Sequence, residues 1–303
     1  MRSKKKPSRI RNVESYVRKA IAKFVRDNPT NRRKVGRGKY LDLPLVGFAS
    51  GNDPLFKKYK TIIGRFHMTP REIFERTFGK ASLPNDLSVI SWVLPVSENA
   101  RKSNRREDKY PSLLWSHSRY FGERFNVKLR DHVVSLLKQK GYRAVAPMNS
   151  PHFRRLRSPK VGFASNWSER HAAYVCGLGT FGLCDGLITA KGKAMRLGSV
   201  VTDLPLKASP RVYPHRRANC LHYFNGACKV CAARCPIGAI TSKGHNKDKC
   251  FEYTRNVIGP IKKVEYGVEI TGCGLCQTKV PCEFEIPKPI QKAYKRLGRA
   301  ARP

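Results

Sequence analysis

The chain has 303 residues, and its 61 Lys and Arg side chains against 21 Asp and Glu leave a net charge of +40 at neutral pH. Its hydrophobic fraction of 40% is enough for a globular interior, so the composition excludes a chain that is disordered throughout. No stretch approaches the roughly 18 apolar residues of a membrane span. A chain of this length can bury one large core or two modest ones, so we expect a main domain and a smaller module.

The positive charge is spread along the whole chain. Residues 1–38 carry fourteen cations against Glu14 and Asp27, and residues 288–303 carry six cations and no acid. Such a surface attracts polyanions, so an extended contact with nucleic acid is plausible. The alternative is that the charge serves general solubility and no particular partner.

The N-terminal residues 1–12 are charged and have no apolar run behind them. Arg32 and Arg33 form the pair that a twin-arginine signal needs, yet Lys39, Asp42 and Pro44 interrupt the apolar segment that should follow. We therefore expect a cytoplasmic protein without a membrane partner. In that reducing compartment, ten cysteines are better explained as metal ligands or redox groups than as disulfides.

The apolar spacing predicts the following elements in chain order. An amphipathic basic helix begins near Val13 and ends before Asn28, and residues 30–38 form a polar linker. Strands are predicted at residues 43–49, 88–96, 144–147 and 197–202, and helices at residues 70–78, 127–140 and 169–176. Residues 98–109, which include Arg101 and Arg105, are predicted to form a solvated charged loop.

The alternation of strands and helices indicates an α/β (α+β) sandwich. From about residue 213 the composition changes to Cys, Gly and Lys, which is typical of a module organised around metal. We assign residues 1–38 to the basic helix and linker, 39–212 to the α/β domain, 213–287 to the cysteine module and 288–303 to a basic C-terminal tail.

Eight of the ten cysteines lie in two runs after residue 213. The runs are Cys220, Cys228, Cys231, Cys235 and then Cys250, Cys273, Cys276, Cys282. Residues 228–236 have the C-x2-C-x3-C-P spacing of the bacterial ferredoxin run. Thiolates suit iron because it binds soft sulfur donors well, and tight turns let several thiolates converge. The two runs therefore predict two [4Fe-4S] clusters, which transfer electrons one at a time.

In two-cluster ferredoxins, the fourth cysteine of each run binds the other cluster. The same exchange assigns one cluster to Cys220, Cys228, Cys231 and Cys282, and the other to Cys235, Cys250, Cys273 and Cys276. Seven residues separate Cys220 from Cys228, where the simple run has two, and five separate Cys276 from Cys282, where it has three. The alternative for these cysteines is a pair of four-cysteine zinc sites.

Two further motifs precede the cysteine runs. Residues 171–182 read HAAYVCGLGTFG and residues 196–206 read RLGSVVTDLPL. With the cysteine runs and the GCGLCQ of residues 272–277, these motifs make the chain resemble the family of corrinoid and iron-sulfur proteins that includes the epoxyqueuosine reductases and the reductive dehalogenases. The resemblance covers roughly residues 40–287.

The resemblance implies a nitroreductase-like α/β domain that binds cobalamin, followed by a two-cluster ferredoxin-like domain. An external ferredoxin or flavodoxin would supply the electrons. The implied cofactor-binding residues lie in and after the glycine turn, at Gly177, Gly179, Thr180, Gly182, Ser199 and Thr202. Taken by themselves, the glycines indicate only a sharp turn or a close approach of the backbone, and the hydroxyl groups serve caps or turns equally well.

The family's proton-donor carboxylate is expected just before the glycine helix. The nearest candidates here are Glu169 and His171, although Glu169 can also cap the helix and His171 can simply pack. Epoxyqueuosine reductases act on a modified base of the tRNA anticodon, so the resemblance and the net charge both favour tRNA as a partner.

The sequence thus predicts an iron-sulfur reductase that passes electrons through two clusters to cobalamin and an electrophilic substrate. Two alternatives are a non-catalytic ferredoxin-like electron carrier and an RNA-binding protein with structural clusters. The long α/β region argues against a mere carrier, which would not require it.

Overall fold

The computed structural model describes residues 12–298. Its α-helices are α1 Val13–Asp27, α2 Pro54–Ile62, α3 Pro70–Phe78, α4 Glu98–Arg105, α5 Leu113–Gln139, α6 Glu169–Val175, α7 Leu221–Asn225, α8 Val230–Ala233, α9 Lys247–Glu252, α10 Gly259–Tyr266 and α11 Lys288–Arg296. Its strands are β1 Leu45–Ser50, β2 Ser88–Pro95, β3 Ala144–Val145, β4 Arg155–Ser158, β5 Gly162–Ser165, β6 Gly179–Phe181, β7 Leu187–Thr189, β8 Met195–Thr202, β9 Ile240–Thr241 and β10 Gly244–His245. A π-helical stretch, Tyr253–Ile258, joins α9 to α10.

A four-stranded sheet with the order β1-β2-β8-β3 forms the centre of the α/β region. All of its strand pairs are antiparallel. Every residue of β2 is buried, since both faces of the sheet are covered. Trp92 on β2 lies opposite Gly198 on β8, where an added Cβ would lie 2.5 Å from the indole ring. The glycine therefore makes room for the largest side chain of the sheet.

The two faces of the sheet support separate hydrophobic cores. On one face, Ile90, Trp92 and Leu94 pack with residues of α1 and α5. On the other, Val89 and Val201 pack with residues of α2, α3 and α6. The alternation along β2 follows from the two-residue period of a strand. The mixed α/β architecture predicted from the sequence is confirmed.

Four features differ from the sequence-based expectation or extend it. The helix predicted from residue 127 begins at Leu113, and residues 98–105 form α4 where a loop was expected. Both misjudged segments contain buried polar residues, such as Ser116 and Asn104, which mask an apolar pattern. The sheet is antiparallel throughout, and residues 288–296 of the basic C-terminal stretch form α11, whose Ile290 and Tyr294 are buried.

The cysteine module contains short helices and one two-stranded hairpin, β9-β10. Its hydrophobic core combines cysteines with a few apolar side chains, including Leu183 and Ile188 from the α/β region. Glu283, which is 1% exposed, joins the two parts of the chain, because its carboxylate lies 3.1 Å from Arg101 and 2.7 Å from Arg105 on α4. The three boundaries between the four predicted segments remain predictions, and residues 1–11 and 299–303 lie outside the described part of the chain.

Within residues 12–298, no helix combines the length and apolar character needed to cross a bilayer.

Candidate metal centre and adjoining cavity

The first group of thiols lines a small pocket within the cysteine module. It contains the four residues that the sequence groups together: Cys220, Cys228, Cys231 and Cys282. Cys220 precedes α7 and Cys231 lies on α8, whereas Cys282 comes from the loop before α11. The remaining walls are largely apolar, with Leu183, Leu221, Val280, Pro281 and Pro287. The pocket therefore offers four sulfur donors and little water.

The second group of thiols faces a larger cavity. It consists of Cys235, Cys250, Cys273 and Cys276. Cys273 and Cys276 flank Gly274, whose φ of +67° turns the chain sharply. An added Cβ at Gly274 would lie only 2.0 Å from the Trp115 indole, so glycine is required on both conformational and steric grounds. The turn brings both sulfurs to the same wall.

Burial favours the neutral form of one thiol in each group. Burial raises the pKa of Cys273 to about 12 and that of Cys282 to about 11. A metal would have to displace these protons, because the thiolate is the ligand. Among the described residues, no three His, Cys, Asp or Glu side chains are close enough to hold a single ion. The thiols of a cubic cluster bind different irons and so lie farther apart than the ligands of one ion.

A buried pair, Cys184 and Lys193, lies between the two groups. The Cys184 sulfur accepts hydrogen bonds from the thiols of Cys231 and Cys276, one from each group. The Lys193 ammonium lies 3.3 Å from the same sulfur. Cys184 lies outside the two cysteine runs that the sequence analysis identified, and Lys193 was missed because one lysine among many basic residues gives no signal.

The larger cavity has a volume of about 430 Å³ and separates the cysteine module from the α/β region. Its aromatic and apolar walls come from both parts: Trp115, Met148, Phe153, Trp167, Met195, Leu197, Ile237 and Tyr253. Its charged walls come mainly from α5, α6 and β8: Arg119, Glu123, Arg130, Glu169, Arg170 and Arg196. The volume lies within the range of pockets that bind small molecules and cofactors, roughly 300–1,000 Å³.

Glu169 lies at the start of α6 and is 8% exposed. Its Oε2 accepts a hydrogen bond of 2.5 Å from the Ser199 hydroxyl, which itself accepts one of 3.0 Å from the Trp167 indole nitrogen. Arg130 Nε lies 3.4 Å from Oε1, although Oε1 has no hydrogen-bond partner among the described residues. Burial outweighs the nearby Arg130 charge and raises the pKa of Glu169 to about 7. Near neutral pH the group can therefore hold and release a proton.

Glu123 neutralises two of the cavity's arginines. Its carboxylate lies 2.6 Å from Arg196 and 3.0 Å from Arg130. Burial alone would raise the pKa of Glu123, but Arg196, Arg130 and Arg119 together lower it to about 2. Repulsion from Arg196, followed by burial, lowers the pKa of Arg119 to about 9. The cavity thus contains more positive than negative charge.

The other residues predicted to bind a cofactor or to catalyse lie away from this cavity. Gly177, Gly179, Thr180, Gly182, Ser199 and Thr202 are absent from its walls, although Ser199 reaches it indirectly through Glu169. Gly177 ends α6 with a φ of +74°, and a Cβ at Gly179 would lie 2.4 Å from the Ile188 carbonyl oxygen. Here the glycine turn serves backbone packing.

The hydroxyl groups of the same motif also have local partners. Thr180 Oγ1 accepts a hydrogen bond from the Asn219 amide, and Thr202 Oγ1 donates one to the Arg143 carbonyl. His171 packs edge to face against Tyr59 and shares a hydrogen bond of 2.7 Å with Ser168, so it packs in the core beside α2. Of the two proton-donor candidates, only Glu169 lines the cavity.

No family profile and no curated protein matches the chain. Among solved structures, it is similar to an epoxyqueuosine reductase from Bacillus subtilis, with 16% identity and a TM-score of 0.44 over 84% of this chain and 72% of that one. It is also similar to an epoxyqueuosine reductase bound to a modified tRNA stem loop, with 18% identity and a TM-score of 0.45 over 81% of this chain and 64% of that one. A catabolic reductive dehalogenase shows 15% identity and a TM-score of 0.44 over 71% of this chain and 28% of that one.

The structures found are members of the two groups that the sequence motifs resemble. The chain spans less than two thirds of the tRNA-bound reductase and little more than a quarter of the dehalogenase.

Proposed function

We propose that the chain is a cytoplasmic iron-sulfur reductase that holds two [4Fe-4S] clusters. The observation that carries the proposal is the division of eight thiols between two separate cavities. Cys235 leaves its own run to join the second group, and Cys282 leaves the later run to join the first. This exchange is the one made in two-cluster ferredoxins, and it supports clusters better than two independent zinc sites.

The proposed roles of the cluster ligands follow from their surroundings. When bound, the clusters supply one-electron transfer, with a reduced ferredoxin or flavodoxin as the external donor. The apolar walls around Cys228 and Cys282 keep water from the first group. Cys273 and Cys276 hold the second group at the wall of the cavity, so that electrons would reach a molecule bound there.

We also propose that the cavity beside Cys276 takes the second cofactor, a corrinoid, together with the substrate. The donor set fits this use in part, because flat aromatic walls at Trp115 and Trp167 suit a planar ring, and Arg119 and Glu169 suit its amide arms. The glycine turn does not fit it, since its residues are packed elsewhere. When bound, a corrinoid supplies a strong nucleophile toward an electrophilic carbon.

Glu169 is the proposed proton donor of this cavity. Its Oε2 is occupied by Ser199, which leaves Oε1 as the oxygen that carries the proton. With a pKa of about 7, the acid is neutral in half of the molecules at neutral pH and can protonate an oxyanion that forms on an opened epoxide. Arg130, 3.4 Å away, would stabilise the carboxylate that remains.

A metal and sulfide analysis tests the clusters. After anaerobic reconstitution, we expect iron and acid-labile sulfide for two cubes, and about half of that iron in each of the variants Cys228→Ala and Cys273→Ala. Cys176→Ala is the matched control, because this buried thiol lines neither cavity. Zinc without sulfide would refute the proposal. Cobalt retention, measured in the same samples, tests the corrinoid separately.

For the substrate we propose a modified base in tRNA, bound through its phosphates. The outer face of α11 carries the exposed side chains of Lys288, Lys292 and Lys295, while Ile290 and Tyr294 anchor the helix in the module. Each phosphate contact adds about 0.7–0.9 to the slope of log affinity against log salt.

Changing the three lysines to Gln should therefore lower the slope for a tRNA stem loop by about 2. Lys57→Gln, Lys58→Gln and Lys80→Gln together form a control of equal charge, since these lysines are exposed in and near α2 and α3. Equal slopes for the two triple variants would rule out α11 as the contact.

A further inference from the structure

Lys193 is a buried cation without a carboxylate partner. The residue is 3% exposed and precedes β8. Its backbone amide donates to the carbonyl oxygens of Cys282 and Glu283, at 3.0 and 3.1 Å, which fixes the position of the chain. Within residues 12–298, the ammonium donates hydrogen bonds to the sulfurs of Cys184, at 3.3 Å, and of Cys282, and it forms no ion pair with a carboxylate.

The position of Lys193 relates it to both groups of thiols. Its side chain lines the pocket of the first group and also the cavity of the second. Its partner Cys184 contacts Cys231 of the first group and Cys276 of the second. The ammonium is thus enclosed between two sets of four sulfur atoms.

A single ammonium in such a place is costly unless negative charge surrounds it. Removing an unpaired charge from water is unfavourable even after the protein relaxes. The module contains no carboxylate that pairs with Lys193, but it contains thiols that become thiolates when metal binds. Bound clusters would therefore supply the missing negative charge.

We propose that Lys193 raises the reduction potentials of both clusters. The inference rests on the proposed clusters. Reduction adds one electron, and hence one negative charge, to a centre already surrounded by four thiolates. A fixed positive charge nearby stabilises the reduced form more than the oxidised form. Because Lys193 lies between the two groups, its effect acts on both centres in the same direction.

The charge would matter for electron flow from the external donor. If each cluster accepts one electron from reduced ferredoxin or flavodoxin, a higher potential makes that step more favourable. The ammonium donates to the Cys282 sulfur of the first group and reaches Cys276 of the second group through Cys184, so Lys193 is a positioning residue for charge. Lys193 does not contact Glu169, the proposed proton donor of the larger cavity.

Anaerobic redox titration of the reconstituted protein tests the inference, with the reduced clusters followed by electron paramagnetic resonance. In Lys193→Met and Lys193→Gln, we expect both midpoint potentials to shift to more negative values at unchanged iron and sulfide content. Lys193→Arg keeps the charge and should keep the potentials near those of the unchanged protein. Lys191→Met is the matched control, because this lysine is two residues away and exposed.

The outcomes separate the inference from the function on which it rests. Absence of iron and sulfide in the unchanged protein refutes the cluster proposal. The role of Lys193 is refuted if the clusters are loaded and their midpoint potentials are the same in three variants, Lys193→Met, Lys193→Gln and Lys191→Met. If neither neutral variant retains its clusters while Lys193→Arg does, the lysine serves cluster assembly, and the proposed control of potential is overturned.

Discussion

Glu169→Gln should change the way in which the stability of the protein depends on pH. The pKa of Glu169 is raised from 4.5 to about 7 in the folded chain. Between these values the folded protein keeps the proton that the unfolded chain has already lost. The resulting contribution to the free energy of unfolding is complete below pH 4.5 and is lost as the pH rises to about 7.

The size of this effect follows from the shift. A difference of about 2.5 pKa units, at 1.36 kcal/mol per unit, corresponds to about 3 kcal/mol. Glutamine resembles the neutral acid and can still accept the Ser199 hydroxyl, so the variant should lose this pH dependence. At pH 8 it should be more stable than the unchanged protein by about 3 kcal/mol, or roughly 6 °C in melting temperature.

Thermal unfolding at several pH values, under anaerobic conditions, measures the difference. Near pH 4.5 the two proteins should melt together, and their melting temperatures should diverge as the pH rises to 7. Asp108→Asn is the control, since this exposed carboxylate should leave the curve unchanged. If the melting temperatures of the two proteins instead differ by the same amount at every pH, Glu169 is ionised in the folded protein. It could then not be the proton donor that we propose.

Three further changes have defined outcomes. Glu123→Gln leaves the cavity arginines without their counter-charge and should lower the free energy of unfolding, measured by denaturant titration, by about 3 kcal/mol. Glu98→Gln is the control, since it breaks an exposed ion pair and should have no measurable effect in the same titration. Gly274→Ala should displace Trp115 and halve the bound iron, while Gly226→Ala, at a similar φ but in open space, should retain it. Glu283→Gln should speed limited proteolysis between α4 and the cysteine module, and an unchanged cleavage rate would contradict the joining role of this carboxylate.

Local signals predicted part of the fold well. Helix α3 has Pro70 at its first turn and a capping box between Thr69 and Glu72, so its bounds could be read from the sequence. The buried strand β2 was recognised by its continuous apolar run. The first half of α5 was missed because its buried face includes polar residues such as Ser116, whose hydroxyl is hydrogen-bonded to Thr271 of the cysteine module at 3.1 Å.

The site was predicted unevenly for a similar reason. Cysteine spacing carries information about ligation, so grouping the thiols required no knowledge of distant contacts. The residues around the cavity come from α5, α6 and β8, which are far apart in sequence. Nothing in the spacing of Arg119 or Lys193 indicates that they approach the thiols. The glycine motif could not by itself distinguish a cofactor site from close packing, since close backbone packing requires glycine as strictly as a cofactor does.

The exchange of Cys235 and Cys282 between the thiol groups has a consequence for biosynthesis. Cys220 of the first group is translated first, but this group is complete only when Cys282 has been translated. The second group ends at Cys276 and is complete earlier. One closed loop is thereby nested inside the other. If both groups bind clusters, the centre that begins first on the ribosome is finished last, and a cluster carrier would have to wait until translation of the module is complete before loading both.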